Sequence, residues 1–158
     1  MELKFKVSAH VSRPVREVFE AVADPAQLSR YFTTGGAVGR LEPGATVSWD
    51  FHDFPGAFPV EVGEVEPGRR IVLYWQANEG PPEEAAETAG AGYRTKVTIE
   101  FEPTADGRTR VSIAEEGWRE TDAGLKASYG NCMGWSQMLC ALKAWLEHGI
   151  NLREGMYK

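Results

Sequence analysis

One carboxylate, Glu115, has the clearest capacity for chemistry in this sequence. Val111, Ile113 and Glu115 occupy alternate positions, so in a strand their side chains share one face, which is otherwise apolar. An ionised carboxylate on such a face is costly without a partner, and burial raises its pKa. Two alternatives follow. Either Glu115 orients a ligand or transfers a proton, or it avoids isolation by reaching solvent at the strand end or by pairing with an arginine.

The other reactive side chains form no catalytic or metal-binding pattern. The sequence contains no CxxC, HExxH, GxxxxGK[ST] or GxSxG motif, and its 3 histidines are isolated. Cys132 and Cys140 lie in a predicted helix, separated by about 12 Å at ~1.5 Å per residue, which is beyond disulfide reach. We therefore expect reduced thiols, no metal and no other cofactor.

Composition restricts the class of protein. The 158 residues are 42% hydrophobic and 25% charged, which suits one domain with a substantial core. The 17 Lys and Arg against 23 Asp and Glu give a net charge of −6, which disfavours nucleic-acid binding. No apolar run approaches the ~20 residues that cross a bilayer, and the first residues lack a signal-peptide pattern. We expect a cytoplasmic protein without membrane insertion.

The predicted order of elements is one strand, two short helices, six strands and one long helix. Leu3 to Ala9 alternates like a half-buried strand, and Pro14 and Asp24-Pro25 are helix start signals. Period-two segments separated by turn residues follow. They predict strands at 38–41, 47–52, 58–65, 71–76, 93–102 and 109–116. The proline-free segment from Asp122 to His148 predicts the long helix.

The long helix carries a face that is bulky at one end and lean at the other. Its apolar stripe comprises Trp135, Met138, Leu139, Leu142, Trp145 and Leu146. Toward the N-terminus the same face carries Gly124, Ser128 and Asn131. An antiparallel sheet of this size curls through its own twist, so one helix can lie in its concave side. We predict an α+β fold with a cavity beside the N-terminal part of the helix, where this face carries no bulky apolar residue.

The candidate ligand-binding residues are inward-facing strand positions and nearby helix positions. They are Trp49, Phe51, Phe58, Trp75, Ile99, Phe101, Ile113, Glu115, Trp118, Ser128, Asn131, Trp135 and Met138. Ser128 and Asn131 offer hydrogen bonds to one end of a ligand. Trp49, Trp118 and Trp135 offer rings on which a flat molecule could stack near the cavity mouth. The Gly-, Pro-, Ala- and Glu-rich segment 78–92 predicts a mobile loop, either a surface insertion or a lid.

The segment Val11–Phe32, VSRPVREVFEAVADPAQLSRYF, resembles the opening of the SRPBCC (START-related) helix-grip superfamily, in the subfamily named after the activator of the heat-shock-protein-90 ATPase. Further segments are similar to that family in order and spacing: Pro43-Gly44, Tyr74-Trp75, Glu116-Gly117-Trp118 and the helical pattern from Gly134 to Glu147. The resemblance implies one helix-grip domain over residues 1–149, with 150–158 as a C-terminal tail. Its fold is a curved seven-stranded antiparallel sheet around a long C-terminal helix.

Three functions from different classes stay open. The first is non-catalytic binding of a small hydrophobic or aromatic molecule, lipids included, in the predicted cavity. The second is an enzyme, polyketide cyclase/aromatase-like or a hydrolase, which needs two titratable groups converging inside where the sequence offers one. The third is a co-chaperone-like interaction domain acting on a chaperone ATPase in the stress response. The expected partner is a small apolar or aromatic molecule. A second copy of the chain and a chaperone are alternative partners.

Overall fold

A computed structural model describes residues 1–80 and 92–158. The strands in these ranges are β1 (Lys4–Val11), β2 (Gly36–Val38), β3 (Thr46–Phe51), β4 (Phe54–Glu66), β5 (Arg70–Gln76), β6 (Arg94–Pro103) and β7 (Thr109–Glu116). The helices are α1 (Val15–Ala23), α2 (Pro25–Tyr31) and α3 (Asp122–His148). The predicted α+β class and the predicted order of elements are confirmed.

The strands form one curved antiparallel sheet in the order β1-β7-β6-β5-β4-β3-β2. Strands from β2 to β7 are neighbours in the sheet as they are in the chain, and β1 closes on β7 with Val7 opposite Ile113. Helix α3 packs on the concave face, where Leu139 and Leu142 are buried in one core with inward residues of the sheet. This is the helix-grip architecture that the resemblance implies.

Local signals fix both ends of α3, which explains why its predicted bounds are confirmed. The Thr121 side chain caps the first turn by accepting a hydrogen bond from the Gly124 amide at 3.0 Å. Gly149 ends the helix in the left-handed region, with φ of 67°. A Cβ at Gly124 would lie 2.0 Å from the Arg119 carbonyl oxygen, so glycine lets the preceding chain pack against the first turn.

Two strands differ from the sequence-based expectation: β4 begins at Phe54 rather than at 58, and β2 is displaced. The strand predicted at 38–41 is instead Gly36–Val38, and the Leu41 amide donates to the Ala23 carbonyl oxygen at 3.1 Å. This bond holds Leu41 at the end of α1 rather than in the sheet. Most of the predicted lid, residues 81–91, lies outside the described residues. In the described part of the chain, no helix is long and apolar enough to cross a membrane.

Candidate ligand-binding site

A cavity of about 850 Å³ lies between the β3–β4–β5 side of the sheet and the middle of α3. Aromatic side chains form much of its wall, and we call it the aromatic cavity: Phe32, Phe51, Phe58, Trp75 and Trp135. Phe54 and Met133, both more than half exposed, lie where the cavity meets solvent. Its volume is within the roughly 300–1,000 Å³ range of small-molecule sites.

The rings of the wall pack on one another. Trp135 stacks on Phe32 with 5.5 Å between ring centroids, and its ring lies 5.3 Å from that of Trp75. Phe51 and Phe58, on the paired strands β3 and β4, stack at 5.8 Å. Such ring pairs favour fixed relative orientations, which stabilises the shape of the wall.

Behind this wall, Glu115 is fully buried and its carboxylate accepts five hydrogen bonds. Its Oε1 accepts from Trp75 Nε1 at 2.8 Å, from Thr95 Oγ1 at 2.7 Å and from Asn131 Nδ2 at 3.0 Å. Its Oε2 accepts from Trp135 Nε1 at 2.8 Å and from Asn131 Nδ2 at 3.2 Å. One carboxylate therefore orients three side chains of the cavity wall, contributed by β5 and α3.

These contacts match an ionised carboxylate. Indole and amide N–H groups donate and cannot accept, so every contact except that of Thr95 requires an acceptor oxygen on Glu115. Burial raises the pKa of Glu115 above its ordinary value, and the hydrogen bonds offset this only in part. Among the described residues, no lysine or arginine forms an ion pair with Glu115. The predicted inward direction is correct, whereas the alternatives of solvent contact and an arginine partner are wrong.

Two glycines make room for the cavity on α3. Gly130 and Gly134 both line it, and a Cβ at either position would meet nothing within 4 Å. Sequence reasoning placed the lean part of the helix further toward its N-terminus, at Gly124 and Ser128. Neither lines the cavity, because Gly124 is packed against residues before the helix and the Ser128 hydroxyl donates to the Leu125 carbonyl oxygen at 2.7 Å. The glycines four residues apart beside Asn131 were the signal that was missed.

The structure brings five of the predicted ligand-binding residues to the cavity wall: Phe51, Phe58, Trp75, Asn131 and Trp135. Glu115 lies directly behind that wall, in contact with three of its members. Four other predicted residues are core residues away from the cavity: Ile99, Phe101, Ile113 and Met138. Leu139 and Leu142 of α3 are buried in the same core as these four residues.

The two remaining tryptophans on the list are not at the cavity mouth, and that expectation is wrong. Trp49 is buried behind the wall, with its ring edge-on to Phe32 at 5.7 Å and to Trp75 at 5.9 Å. Trp118 is buried against Phe5 of β1, with 5.5 Å between stacked rings. Alternation along a strand gives the face of a residue but does not give its depth below the surface.

The C-terminal segment, expected as a tail, packs beside the cavity. Arg153 is buried and its Nη2 donates to Asp53 Oδ1 at 2.9 Å. Its guanidinium lies 4.5 Å from the Phe51 ring centroid and 5.0 Å from that of Tyr157. Arg153 and Tyr157 both line the cavity. Sequence reasoning missed this pair because the two charges are 100 residues apart and no local pattern links them.

Comparison with known proteins agrees with this architecture. The family model described as Activator of Hsp90 ATPase homolog 1-like protein matches residues 12–147. No curated protein matches the chain.

Several solved structures are similar along almost the whole chain. Protein SSP2350 from Staphylococcus saprophyticus is 27% identical with a TM-score of 0.73, over 95% of this chain and 96% of that one. DynU16, a protein of the dynemicin biosynthetic locus, is 25% identical with a TM-score of 0.75; the match covers 96% of this chain but 49% of DynU16. The Aha1 dimer from Colwellia psychrerythraea is 19% identical with a TM-score of 0.68, over 92% and 97%, a likeness of fold alone.

Proposed function

The chain belongs to the Activator of Hsp90 ATPase homolog 1-like family of helix-grip proteins, and we propose that it binds a small apolar or aromatic molecule in the aromatic cavity. The observation that carries this proposal is the cavity itself, about 850 Å³ with eight aromatic residues among its described lining residues. Burial of a ligand there would remove apolar surface from water on both partners, at roughly 25 cal/mol per Å².

The wall is organised before any ligand arrives, which supports binding. Glu115 holds the indoles of Trp75 and Trp135 and the amide of Asn131 from behind. A ligand therefore need not order these side chains, which would otherwise cost about 0.5–1.5 kcal/mol for each one immobilised.

Binding accounts for the geometry better than catalysis does. The buried carboxylate has both oxygens occupied by donors and lies behind the wall rather than on it. A general acid or base must come within hydrogen-bond reach of the reacting group. Among the described lining residues, Glu61 and Arg94 form an ion pair with each other, and the Glu79 carboxylate accepts a hydrogen bond from the Tyr93 hydroxyl. The cyclase and hydrolase alternatives therefore rank below binding.

We further propose that binding needs the segment 150–158, although the sequence set it outside the domain of residues 1–149. Arg153 and Tyr157 belong to the cavity wall, so a chain ending at residue 149 would leave the cavity open on that side. A homodimer, a chaperone partner and a cytoplasmic location stay predictions.

A cavity-filling substitution on α3 tests the proposal. Gly134→Leu places a side chain in the space that lies over Gly134, without a clash at its Cβ. We expect the neutral fluorescent probe N-phenyl-1-naphthylamine to bind the unaltered protein and to lose about tenfold or more in affinity for the variant.

The matched control is Cys140→Leu, which adds the same side chain at an exposed position of α3 outside the cavity. Equal probe affinity for Gly134→Leu and the unaltered protein, or an equal loss in both variants, would contradict the proposed site. Melting curves of both variants establish that each is folded.

A further inference from the structure

We propose that the ligand of the aromatic cavity is a small organic cation, an amine or quaternary ammonium group on an apolar or aromatic body. This inference rests on the proposed function and adds the charge of the ligand to it. Its basis is a buried carboxylate without a cationic partner, lying directly behind aromatic rings that line the cavity.

The charges around the cavity do not cancel. Arg94 at the cavity wall is paired with Glu61 and also lies over the ring of Tyr74 at 5.4 Å. Arg153 is paired with Asp53 at 2.9 Å. Each arginine is thus balanced by its own carboxylate, while Glu115 is held only by neutral donors.

A second carboxylate lies at the cavity wall. Glu79 lines the cavity, and its side chain accepts a hydrogen bond from the hydroxyl of Tyr93, which is also neutral. In a partly desolvated site, the field of such charges reaches further than in bulk water, because the effective dielectric constant is lower. Arg119 lies over the Tyr93 ring at 4.4 Å and Lys158 over the Phe54 ring at 5.1 Å, so cations are near Glu79 and the cavity mouth. The charge that a bound cation would neutralise is therefore that of Glu115, which only neutral donors hold.

The rings of the wall are suited to the same guest. Trp75 and Trp135 both direct their N–H edge to Glu115. Trp135 is stacked on Phe32 and packs against Trp75, so the partly buried ring of Trp75 offers the surface to a guest. Indole is the best of the aromatic side chains at attracting a cation to its face, and the attraction grows when the site is desolvated. Donation of the N–H to a carboxylate makes the ring more electron-rich and strengthens this preference.

Rings of the wall already hold cations of the protein itself. The guanidinium of Arg153 lies 4.5 Å from the centroid of Phe51 and 5.8 Å from that of Phe32. This contact shows that these rings accept a positive charge at close range. The guest we propose would repeat the contact on the Trp75 and Trp135 side of the cavity.

The wall favours an organic cation over a metal ion. Calcium and magnesium take six or more oxygen ligands, and the oxygens of Glu115 are already engaged by donors from the protein. An alkylated ammonium group is weakly hydrated and carries apolar surface that the rings can cover. The cavity volume sets the size, because about 850 Å³ accommodates a ligand of drug-like size.

Three naphthalenes of matched shape and different charge test the inference by displacing N-phenyl-1-naphthylamine at pH 8. They are 2-naphthyltrimethylammonium, its neutral isostere 2-tert-butylnaphthalene and the anion naphthalene-2-sulfonate. We expect the cation to displace the probe about tenfold more effectively than the neutral compound, and the anion to be the weakest. Glu115→Gln should abolish most of the advantage of the cation.

Glu100→Gln is the matched control, since it removes the same charge from an exposed pair with Lys6 outside the cavity. It should leave the ranking unchanged. A neutral compound that competes as well as the cation, or a cation advantage that survives Glu115→Gln, would overturn the inference and leave the proposed function intact. Failure of the probe itself to bind the unaltered protein would overturn the proposed function. If Glu115→Gln does not fold, the order in which the three naphthalenes displace the probe from the unaltered protein decides whether the inference holds.

Discussion

The two ends of the space between sheet and helix are built in opposite ways. At the closed end, Ile99 and Ile113 of the sheet and Leu142 of α3 are fully buried in one apolar core. At the open end, the aromatic cavity is left between β3–β5 and α3, and its wall is held by Glu115. The same helix is therefore held by apolar packing at one end and contributes to the cavity wall through a polar network at the other.

The largest effect is expected at the closed end. Leu142→Ala removes a fully buried side chain and should lower the free energy of unfolding by about 2–5 kcal/mol, from lost burial and the void it leaves. Probe affinity should stay the same where the variant is folded, because Leu142 does not line the cavity. Denaturant titration measures the free energy of unfolding, and probe fluorescence measures the affinity. A large loss of affinity at an unchanged fold would show that the two ends are not independent.

At the open end, Glu115→Gln should destabilise the protein by about 1–3 kcal/mol at acid pH, because the glutamine amide must face donor groups. The difference in free energy of unfolding between the unaltered protein and Glu115→Gln should become smaller as pH rises. The pKa of Glu115 is raised in the folded state, so its contribution to stability is complete below the unfolded pKa and is lost as pH passes through the folded one. Glu115→Gln has no ionisable group at this position, so the variant does not lose this stability as pH rises.

Urea unfolding of both proteins between pH 3 and pH 8 measures the difference directly. The groups that contact Glu115 from β5, β6 and α3 are neutral, so the change belongs to this carboxylate. A penalty that grows with pH would mean that the hydrogen bonds outweigh burial and that the pKa of Glu115 is lowered.

The smallest effect is expected at Gly134, and Gly124 on the same helix provides the contrast. Gly134→Ala should stabilise the protein by about 0.5–1 kcal/mol, because alanine is the better helix former and its Cβ enters open space. Gly124→Ala should instead destabilise it, since the Cβ would lie 2.0 Å from the Arg119 carbonyl oxygen. Melting temperatures of the two variants check this pair. Similar shifts for both would contradict the placement of the cavity over Gly134.

The fold could be predicted because its signals are local. Strand β7, at Thr109–Glu116, and helix α3, at Asp122–His148, have the bounds that alternation and capping residues indicate. The edge strand β2 was misplaced because a backbone hydrogen bond from Leu41 to α1 decides where it ends. No periodicity in the sequence reports such a contact.

The site could be predicted only in part. Alternation directs Phe51, Phe58 and Trp75 inward, and the structure places all three on the cavity wall. The position of the cavity along α3 depends on how the helix sits in the sheet, which the spacing of residues does not encode. The partners of Glu115 come from three separate elements, and the Asp53–Arg153 pair spans 100 residues, so neither could be read locally.

The most direct test of the account follows the indole N–H resonances of the tryptophans by ¹⁵N nuclear magnetic resonance during titration with N-phenyl-1-naphthylamine. Trp75 and Trp135 line the cavity, whereas Trp118 lies against β1 and Trp145 is outside the cavity wall. If the probe binds in the aromatic cavity, the Trp75 and Trp135 signals shift saturably and those of Trp118 and Trp145 do not move. Binding that shifts Trp118 or Trp145 and leaves Trp75 and Trp135 in place would contradict the account.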